Sequence, residues 1–326
     1  MEPLPDFKLV RPATLGEAVD AMAEIPDARF VAGGTDLLVN MRRGIVEAGA
    51  LIELAGIAEL KEISRYDSGW TIGAGATLSQ LAKNQELKAS FQAVCQAALA
   101  VAGPTHRVVA TVGGNLCLET RCVFYNQSEW WREANNYCLK NEGDTCHAAP
   151  SGELCHAAFS GDLAPALIAS DARVRLVGPT GERDIPLQDI YQNDGRNHLL
   201  LEEGEVLASV TLPMPPNDAR SAYEKIRVRG SLDFPLAGVA IVLAQRDGLL
   251  THLRIAFTGT NSQPVSVEGT DELLGLVLDE DGLEKLAKLL PKQIKPMPST
   301  FYTPQYRRRA VTNVTLRLAQ NLYESR

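Results

Sequence analysis

Thr111-Val112-Gly113-Gly114-Asn115 opens, and Gly161-Asp162-Leu163-Ala164-Pro165 closes, the stretch on which the reading of this 326-residue chain turns. Between them lie Cys117, Cys122, Cys138, Cys146 and Cys155, five of the six cysteines. Glycine lets the opening turn bring its backbone close to a ligand, with consecutive N–H groups free to face an anion. A turn shaped for a cofactor therefore runs directly into a group of thiols.

Two earlier turns follow the same logic: Ala32-Gly33-Gly34-Thr35-Asp36 and Gly73-Ala74-Gly75-Ala76-Thr77. The first sits between a strand at 29–32 and a helix at 37–43, where unpaired N–H groups make a natural anion cradle. Thr35, Thr77 and Thr111 can add hydroxyl donors. None of the three reads Gly-x-Gly-x-x-Gly between a strand and a helix, and no Walker sequence with Lys-Ser or Lys-Thr is present, so a generic nucleotide fold is disfavoured.

Around these turns the chain alternates strands and helices. Thr14-Leu15-Gly16-Glu17 has the capping-box spacing at the start of a helix, and residues 50–54 read as a strand, completing a small α/β lobe to about residue 60. Residues 63–76 read as a hairpin turning at Asp67-Ser68-Gly69, followed by helices at 78–82 and 91–102. The second helix carries Cys95, read as core packing. Strands follow at 172–177 and 205–212. Met214-Pro215-Pro216-Asn217-Asp218 is the best linker, so the expected domains are 1–216, with lobes at about 1–60 and 61–216, and 217–326. In the second domain, 221–229 reads as a strand, 237–246 as a buried helix or strand, 253–259 as a strand, and 283–290 and 306–323 as helices. The fold class is α+β.

A net charge of -8 gives no broad attraction to nucleic acid or to an anionic membrane, and no apolar run approaches membrane-spanning length. Met1-Glu2-Pro3-Leu4-Pro5-Asp6 lacks the pattern of a secretory leader. The expected location is cytoplasmic, and in a reducing cytosol clustered cysteines suggest metal or redox chemistry before disulfides.

Taken in order, Val31-Ala32-Gly33-Gly34-Thr35-Asp36-Leu37, Ile72-Gly73-Ala74-Gly75-Ala76-Thr77, Thr111-Val112-Gly113-Gly114-Asn115 and Asp162-Leu163-Ala164-Pro165-Ala166-Leu167 resemble the flavin-binding subunits of the xanthine oxidase and carbon monoxide dehydrogenase family. Val206-Leu207-Ala208-Ser209, Tyr223-Glu224-Lys225 and Tyr306-Arg307-Arg308 continue the match. The resemblance implies the two-lobed FAD-binding fold of that family. It places FAD on Val31, Ala32, Gly33, Gly34, Thr35 and Asp36, on Thr77, and on Thr111, Gly113, Gly114 and Asn115. It also implies Asp162 on a sugar or adenine-side group, and Leu207 and Lys225 near the isoalloxazine. A cation beside the flavin carbonyls stabilises the anionic reduced ring; as a bare residue, without the resemblance, Lys225 reads as a surface lysine on an alternating strand.

One segment departs from the family pattern. There the Asp-Leu-x-Pro segment follows the glycine turn closely; here 46 residues separate Asn115 from Asp162. This insert, about 117–160, holds Cys122, Cys138, Cys146 and Cys155, with 15, 7 and 8 residues between them. That is neither a ferredoxin run nor a Cys-x-x-Cys zinc knuckle. Four thiolates suffice for a [4Fe–4S] cluster; zinc on four cysteines, or on three with His147 or His156, disulfides and free thiols are the alternatives. Cys117 reads as packing and the two histidines as neighbours or solvent groups. The insert resembles that of the 4-hydroxybenzoyl-CoA reductase branch of the family. This second resemblance implies a [4Fe–4S] cluster on the four cysteines, a molybdopterin-binding large subunit, a small subunit with two [2Fe–2S] clusters, and a dimer of heterotrimers. It further implies ferredoxin as donor to a relay through the cluster and FAD toward molybdenum. A purine, aldehyde or CO hydroxylase flavin subunit using NAD or another acceptor, and a zinc-stabilised assembly module, are the competing readings.

Overall fold

The computed structural model describes residues 3–230 and 232–325. Met1 and Glu2, the start of the segment read as lacking a leader, lie outside it. Strands β1 (Lys8–Val10), β2 (Ala28–Val31) and β3 (Ala50–Glu53) form a parallel sheet in the order β1-β3-β2. Helix Leu15–Glu24 makes the crossover and starts as its sequence dictates: Thr14 Oγ1 accepts the Glu17 N–H (3.2 Å) and the Glu17 carboxylate accepts the Ala13 N–H (2.7 Å). Its Leu15, Ala18 and Val19 face Ile52, Ile57 and Leu60.

The second sheet contains β4 (Ile63–Tyr66), β5 (Gly69–Gly73), β6 (Arg173–Gly178), β7 (Gly181–Pro186) and β8 (Val206–Pro213), antiparallel in the order β4-β5-β8-β6-β7. The chain leaves this sheet after β5 and re-enters at β6. Two of the three glycine turns and the whole cysteine insert belong to that excursion. The third sheet, β9 (Arg220–Ile226), β10 (Ala237–Arg246), β11 (Leu249–Thr258) and β12 (Val265–Ser266), is antiparallel in the order β12-β11-β10-β9.

Helices Gln92–Ala100 and Leu163–Ala169 lie between the second and third sheets. The main core joins Ile72, Val174, Leu176, Leu207 and Val210 to Val94, Ala97 and Leu167, and then to Tyr223, Ala240, Val242 and Ala256. The opposite face of the third sheet sends Val239, Ile241, Leu243 and Phe257 against Leu286, Val311, Val314 and Leu318 of helices Glu280–Leu289 and Pro304–Glu324.

That double coverage resolves the ambiguity at 237–246. The run is the strand β10, apolar from Ala237 to Ala244 because alternate side chains enter two different cores. The helix expected at 91–102 is shorter, and helix Gln85–Ser90, unmarked by its hydropathy, precedes it on an Asn84 cap whose side chain accepts the Leu87 N–H (3.0 Å). The last helix begins at Pro304, where Thr303 caps and proline fits the first turn. Among the described residues no helix is long and apolar enough to cross a membrane.

Candidate functional site

The three glycine turns converge. Residues 74–78 and 110–113 run antiparallel, with Leu78 N–H to Ala110 O (2.9 Å), Val112 N–H to Ala76 O (2.9 Å) and Gly113 N–H to Ala74 O (2.8 Å). Gly113 has no alternative, because a Cβ there would stand 2.9 Å from the Ala74 Cβ. The first turn joins through Gly33, where a Cβ would overlap the Val109 carbonyl oxygen. Val31 closes β2 and accepts the Leu54 N–H (2.8 Å). Beyond it, residues 32–35 are partly exposed and Gly34 takes φ +65°. The Gly33, Gly34 and Thr35 N–H groups donate to no protein acceptor among the described residues. Consecutive unpaired donors on a turn that cannot carry a side chain fit a phosphate-bearing cofactor.

The neighbouring side chains divide into those free for a ligand and those already engaged. Thr77, expected to offer its hydroxyl, donates it to Gln80 Oε1 (2.9 Å) and accepts the Gln80 N–H (3.2 Å), so it is spent capping helix Leu78–Lys83. Thr111 Oγ1 accepts the Gly114 N–H (3.1 Å), which leaves its proton free. Asn115 Oδ1 accepts the Leu163 N–H (2.9 Å), joining the glycine turn to the Asp162 segment across the insert. Asp36 ion-pairs with Arg121 and accepts from Asn40 Nδ2 (3.1 Å). A free carboxylate beside the open N–H groups would repel an anion, and Arg121 removes that repulsion. Burial lowers Arg121 to about 10, and its guanidinium lies 4.6 Å from the Phe234 ring centroid.

Asp162 and Lys225, assigned to different parts of FAD, are in contact. Lys225 Nζ donates to Asp162 Oδ2 (2.9 Å) and to the Ala100 carbonyl (3.0 Å), while Tyr223 donates to Asp162 Oδ1 (2.6 Å). Each charged side chain is 4% exposed. The two side chains form one internal pair that seats helix Leu163–Ala169 against β9. Burial pushes the Asp162 carboxyl above its ordinary value, while Lys225 and Tyr223 pull it back. Leu207 likewise points into the main core; its neighbour Ala208 supports the second turn by accepting the Ala74 N–H (2.9 Å).

The insert forms a second site. Arg121 and Ala158 exchange both backbone hydrogen bonds (2.8 and 2.7 Å), closing a neck. Beyond the neck the segment is tied to the first lobe, Arg43 donating to Asn126 O (2.7 Å) and Arg132 to Gly44 O (2.8 Å). It meets the C-terminal half through Ser262, whose hydroxyl donates to Cys155 O (3.1 Å). Cys122, Cys138, Cys146 and Cys155 are all buried and line one small pocket. Backbone N–H groups point at the sulfurs: Phe124 and Tyr125 at Cys122, Ala148, Ala149 and His156 at Cys146, and Ala157 at Cys155 (3.4 Å). Such donors favour thiolate over thiol. Cys155 and Cys146 share a hydrogen bond and so one proton, which lowers Cys146 and raises Cys155. Among the described residues, no three His, Cys, Asp or Glu side chains are grouped to hold a single metal ion.

The remaining candidates stand apart from this pocket or at its edge. Cys95 donates to Leu81 O (3.4 Å) in the main core, and burial raises it to about 11. Cys117 ends helix Val112–Leu116 and packs on the same core, where burial raises it to about 12. His147 lines the pocket, but its Nε2 is engaged by Tyr137 O (2.5 Å). Sequence reasoning missed Arg121 and Lys140, cations with 17% and 4% of their side chains exposed; their position one and two residues from a ligand candidate was the available signal.

Glycine turns converging from two lobes, backed by a further α+β unit, define a cofactor-binding chain. Residues 5–215 match the family described as the FAD binding domain in molybdopterin dehydrogenase, and residues 221–322 the CO dehydrogenase flavoprotein C-terminal domain. The chain belongs to this family of flavin-binding oxidoreductase subunits. The aldehyde oxidoreductase FAD-binding subunit PaoB of Escherichia coli (strain K12) is 34% identical over 278 residues, spanning 82% of this chain and 86% of PaoB. The carbon monoxide dehydrogenase medium chain of Afipia carboxidovorans is 27% identical, with 96% and 95% covered. The structure of the cyanide-inactivated Cu,Mo-CO dehydrogenase superposes with a TM-score of 0.81 at 25% identity, covering 99% of each chain.

Proposed function

We propose that this chain is the flavin and iron–sulfur subunit of a molybdenum-containing 4-hydroxybenzoyl-CoA reductase, with domains at 1–216 and 217–326. The observation that carries the reading is the convergence of Cys122, Cys138, Cys146 and Cys155 on one pocket, with backbone N–H groups turned to the sulfurs. Four thiols around one space suit a [4Fe–4S] cluster, which takes one cysteine per iron. The open N–H groups of Gly33, Gly34 and Thr35 would hold the FAD pyrophosphate, with the Thr111 hydroxyl beside them. Bound there, FAD supplies one- and two-electron chemistry and the cluster one-electron chemistry, which suits a relay from ferredoxin to a reductive dehydroxylation.

The chain's own residues keep these two sites in register. Asn115 joins the glycine turn to Leu163, Arg121 joins the insert neck to Asp36, and the Asp162–Lys225 pair fixes the helix between them. The partners of the assembly would be a molybdopterin-binding large subunit and a small subunit with two [2Fe–2S] clusters, in a cytoplasmic dimer of heterotrimers. A second reading, an aldehyde-type hydroxylase subunit, is favoured by the 34% identity to PaoB.

Iron and acid-labile sulfide analysis of the anoxically purified complex, with visible spectra, tests the cluster. Cys138→Ser should lose part of the iron and part of the broad absorption that dithionite bleaches, leaving the share of the partner [2Fe–2S] clusters and the flavin bands. Zinc in place of iron, or full iron retained by the variant, would sink it. Turnover of 4-hydroxybenzoyl-CoA against aldehydes then separates the two enzyme readings.

A further inference from the structure

The insert buries one cation that the reading above leaves without a role. Lys140 lines the same pocket as the four cysteines and leaves 4% of its side chain exposed. Its Nζ donates to Glu119 Oε1 (2.6 Å), Thr120 Oγ1 (2.7 Å) and the Gly195 carbonyl (2.5 Å). These three acceptors match the three N–H bonds of a lysine ammonium. Nζ also lies 5.2 Å from the centroid of the Tyr125 ring, itself a wall of the pocket.

The charge balance at this site is uneven. Glu119 offsets Lys140 from a side chain that is 36% exposed, so water screens the carboxylate more than the ammonium. The other wall residues of the pocket are thiols, aromatics, aliphatics and His147. A desolvated cation is costly unless something negative faces it. A cluster bound through the four cysteines would supply that, which ties the lysine to the pocket's contents as well as to Glu119.

We propose that Lys140 is a charge-compensating residue that raises the reduction potential of the cluster held by Cys122, Cys138, Cys146 and Cys155, with Glu119 as its counterweight. The proposal rests on the cluster reading above. A thiolate-bound cluster is an anion and gains one more negative charge when an external one-electron donor reduces it. No bond is made or broken and no proton moves. A fixed positive charge in a low-dielectric wall stabilises the reduced form over the oxidised one. The carboxylate of Glu119 acts in the opposite sense.

The test is an EPR-monitored redox titration of the anoxically purified complex, with iron content measured alongside. Lys140→Met should make the cluster about tenfold harder to reduce, a midpoint about 59 mV more negative for a one-electron couple. Glu119→Gln should move the midpoint upward, and Lys140→Arg should stay near the unaltered protein. Opposite signs at two hydrogen-bonded residues are what a structural role would not produce. Unmoved midpoints, or both variants shifting the same way, overturn the proposal. If Lys140→Met fails to keep its iron, Glu119→Gln decides: an upward shift supports the assignment and no shift ends it. An unaltered complex with no iron or cluster signal beyond those of the partner [2Fe–2S] clusters refutes the cluster reading itself, which is a distinct result.

Discussion

Replacing Lys225 with methionine tests the internal pair on which the two halves of the cradle rest. The variant keeps most of the side-chain volume and removes the charge. Asp162, 3% exposed, would retain only the Tyr223 hydroxyl at 2.6 Å, and the Ala100 carbonyl would lose its donor. Breaking a buried ion pair from one side costs about 3–5 kcal/mol, or roughly 6–20 °C in Tm for a domain of this size. The loss must depend on pH. Burial already holds Asp162 above its ordinary value, and without Lys225 the carboxyl rises further. A raised carboxyl contributes stability that is present below the unfolded value of about 4 and lost as pH climbs through the folded value. The deficit should therefore be larger at pH 8 than at pH 5. Urea unfolding at both pH values, on Lys225→Met, Asp162→Asn and the double variant, measures it. The double variant should recover part of the loss, because it removes both charges together. Additive losses, or single-variant losses under about 1 kcal/mol that ignore pH, would refute the reasoning.

Three further outcomes follow from the geometry. Gly33→Ala should release FAD and lower stability, because its Cβ has nowhere to go but the Val109 carbonyl; flavin retained after gel filtration is the readout. Arg307→Met should destabilise the C-terminal unit by roughly 3 kcal/mol or more, because the buried guanidinium serves the Leu236, Met297 and Gly259 carbonyls, and chemical denaturation will show it. His198 is pushed down to about 4 by burial. It therefore contributes stability above the unfolded value of about 6.5 that is lost as pH falls, up to roughly 3 kcal/mol in all. His198→Gln should flatten that acid-side slope in unfolding curves measured from pH 7 to 4.5.

Legibility in the sequence followed the range of the interactions. The first lobe and the glycine turns could be read because capping, turn chemistry and strand periodicity act over a few residues, as at Thr14 and Gly33. β10 was ambiguous because two cores claim its alternate side chains, and no local pattern records a second core. Asp162 and Lys225 could be picked out singly, yet their contact spans 63 positions in the chain, and resemblance had assigned them separate roles. Thr77 shows the converse: its hydroxyl looked available until the capping box with Gln80 consumed it. Arg121 and Lys140 were unreadable because their burial depends on how the insert folds back on residues 43–45 and 195, which no spacing encodes.

The neck between Arg121 and Ala158 makes the cysteine segment separable from the rest. Its two ends are hydrogen-bonded neighbours in space, so a tight turn could span them and leave the flavin cradle closed. A chain of this architecture can thus gain or shed its cysteine segment as a cassette, by insertion or excision at one point. The glycine turns would feel the change through Arg121 and through the contacts at Arg43 and Gly44. Transplanting residues 121–158 into a relative lacking them would carry the four-cysteine pocket across, with Asp36, Arg43, Gly44 and the 194–195 loop as the sites to match.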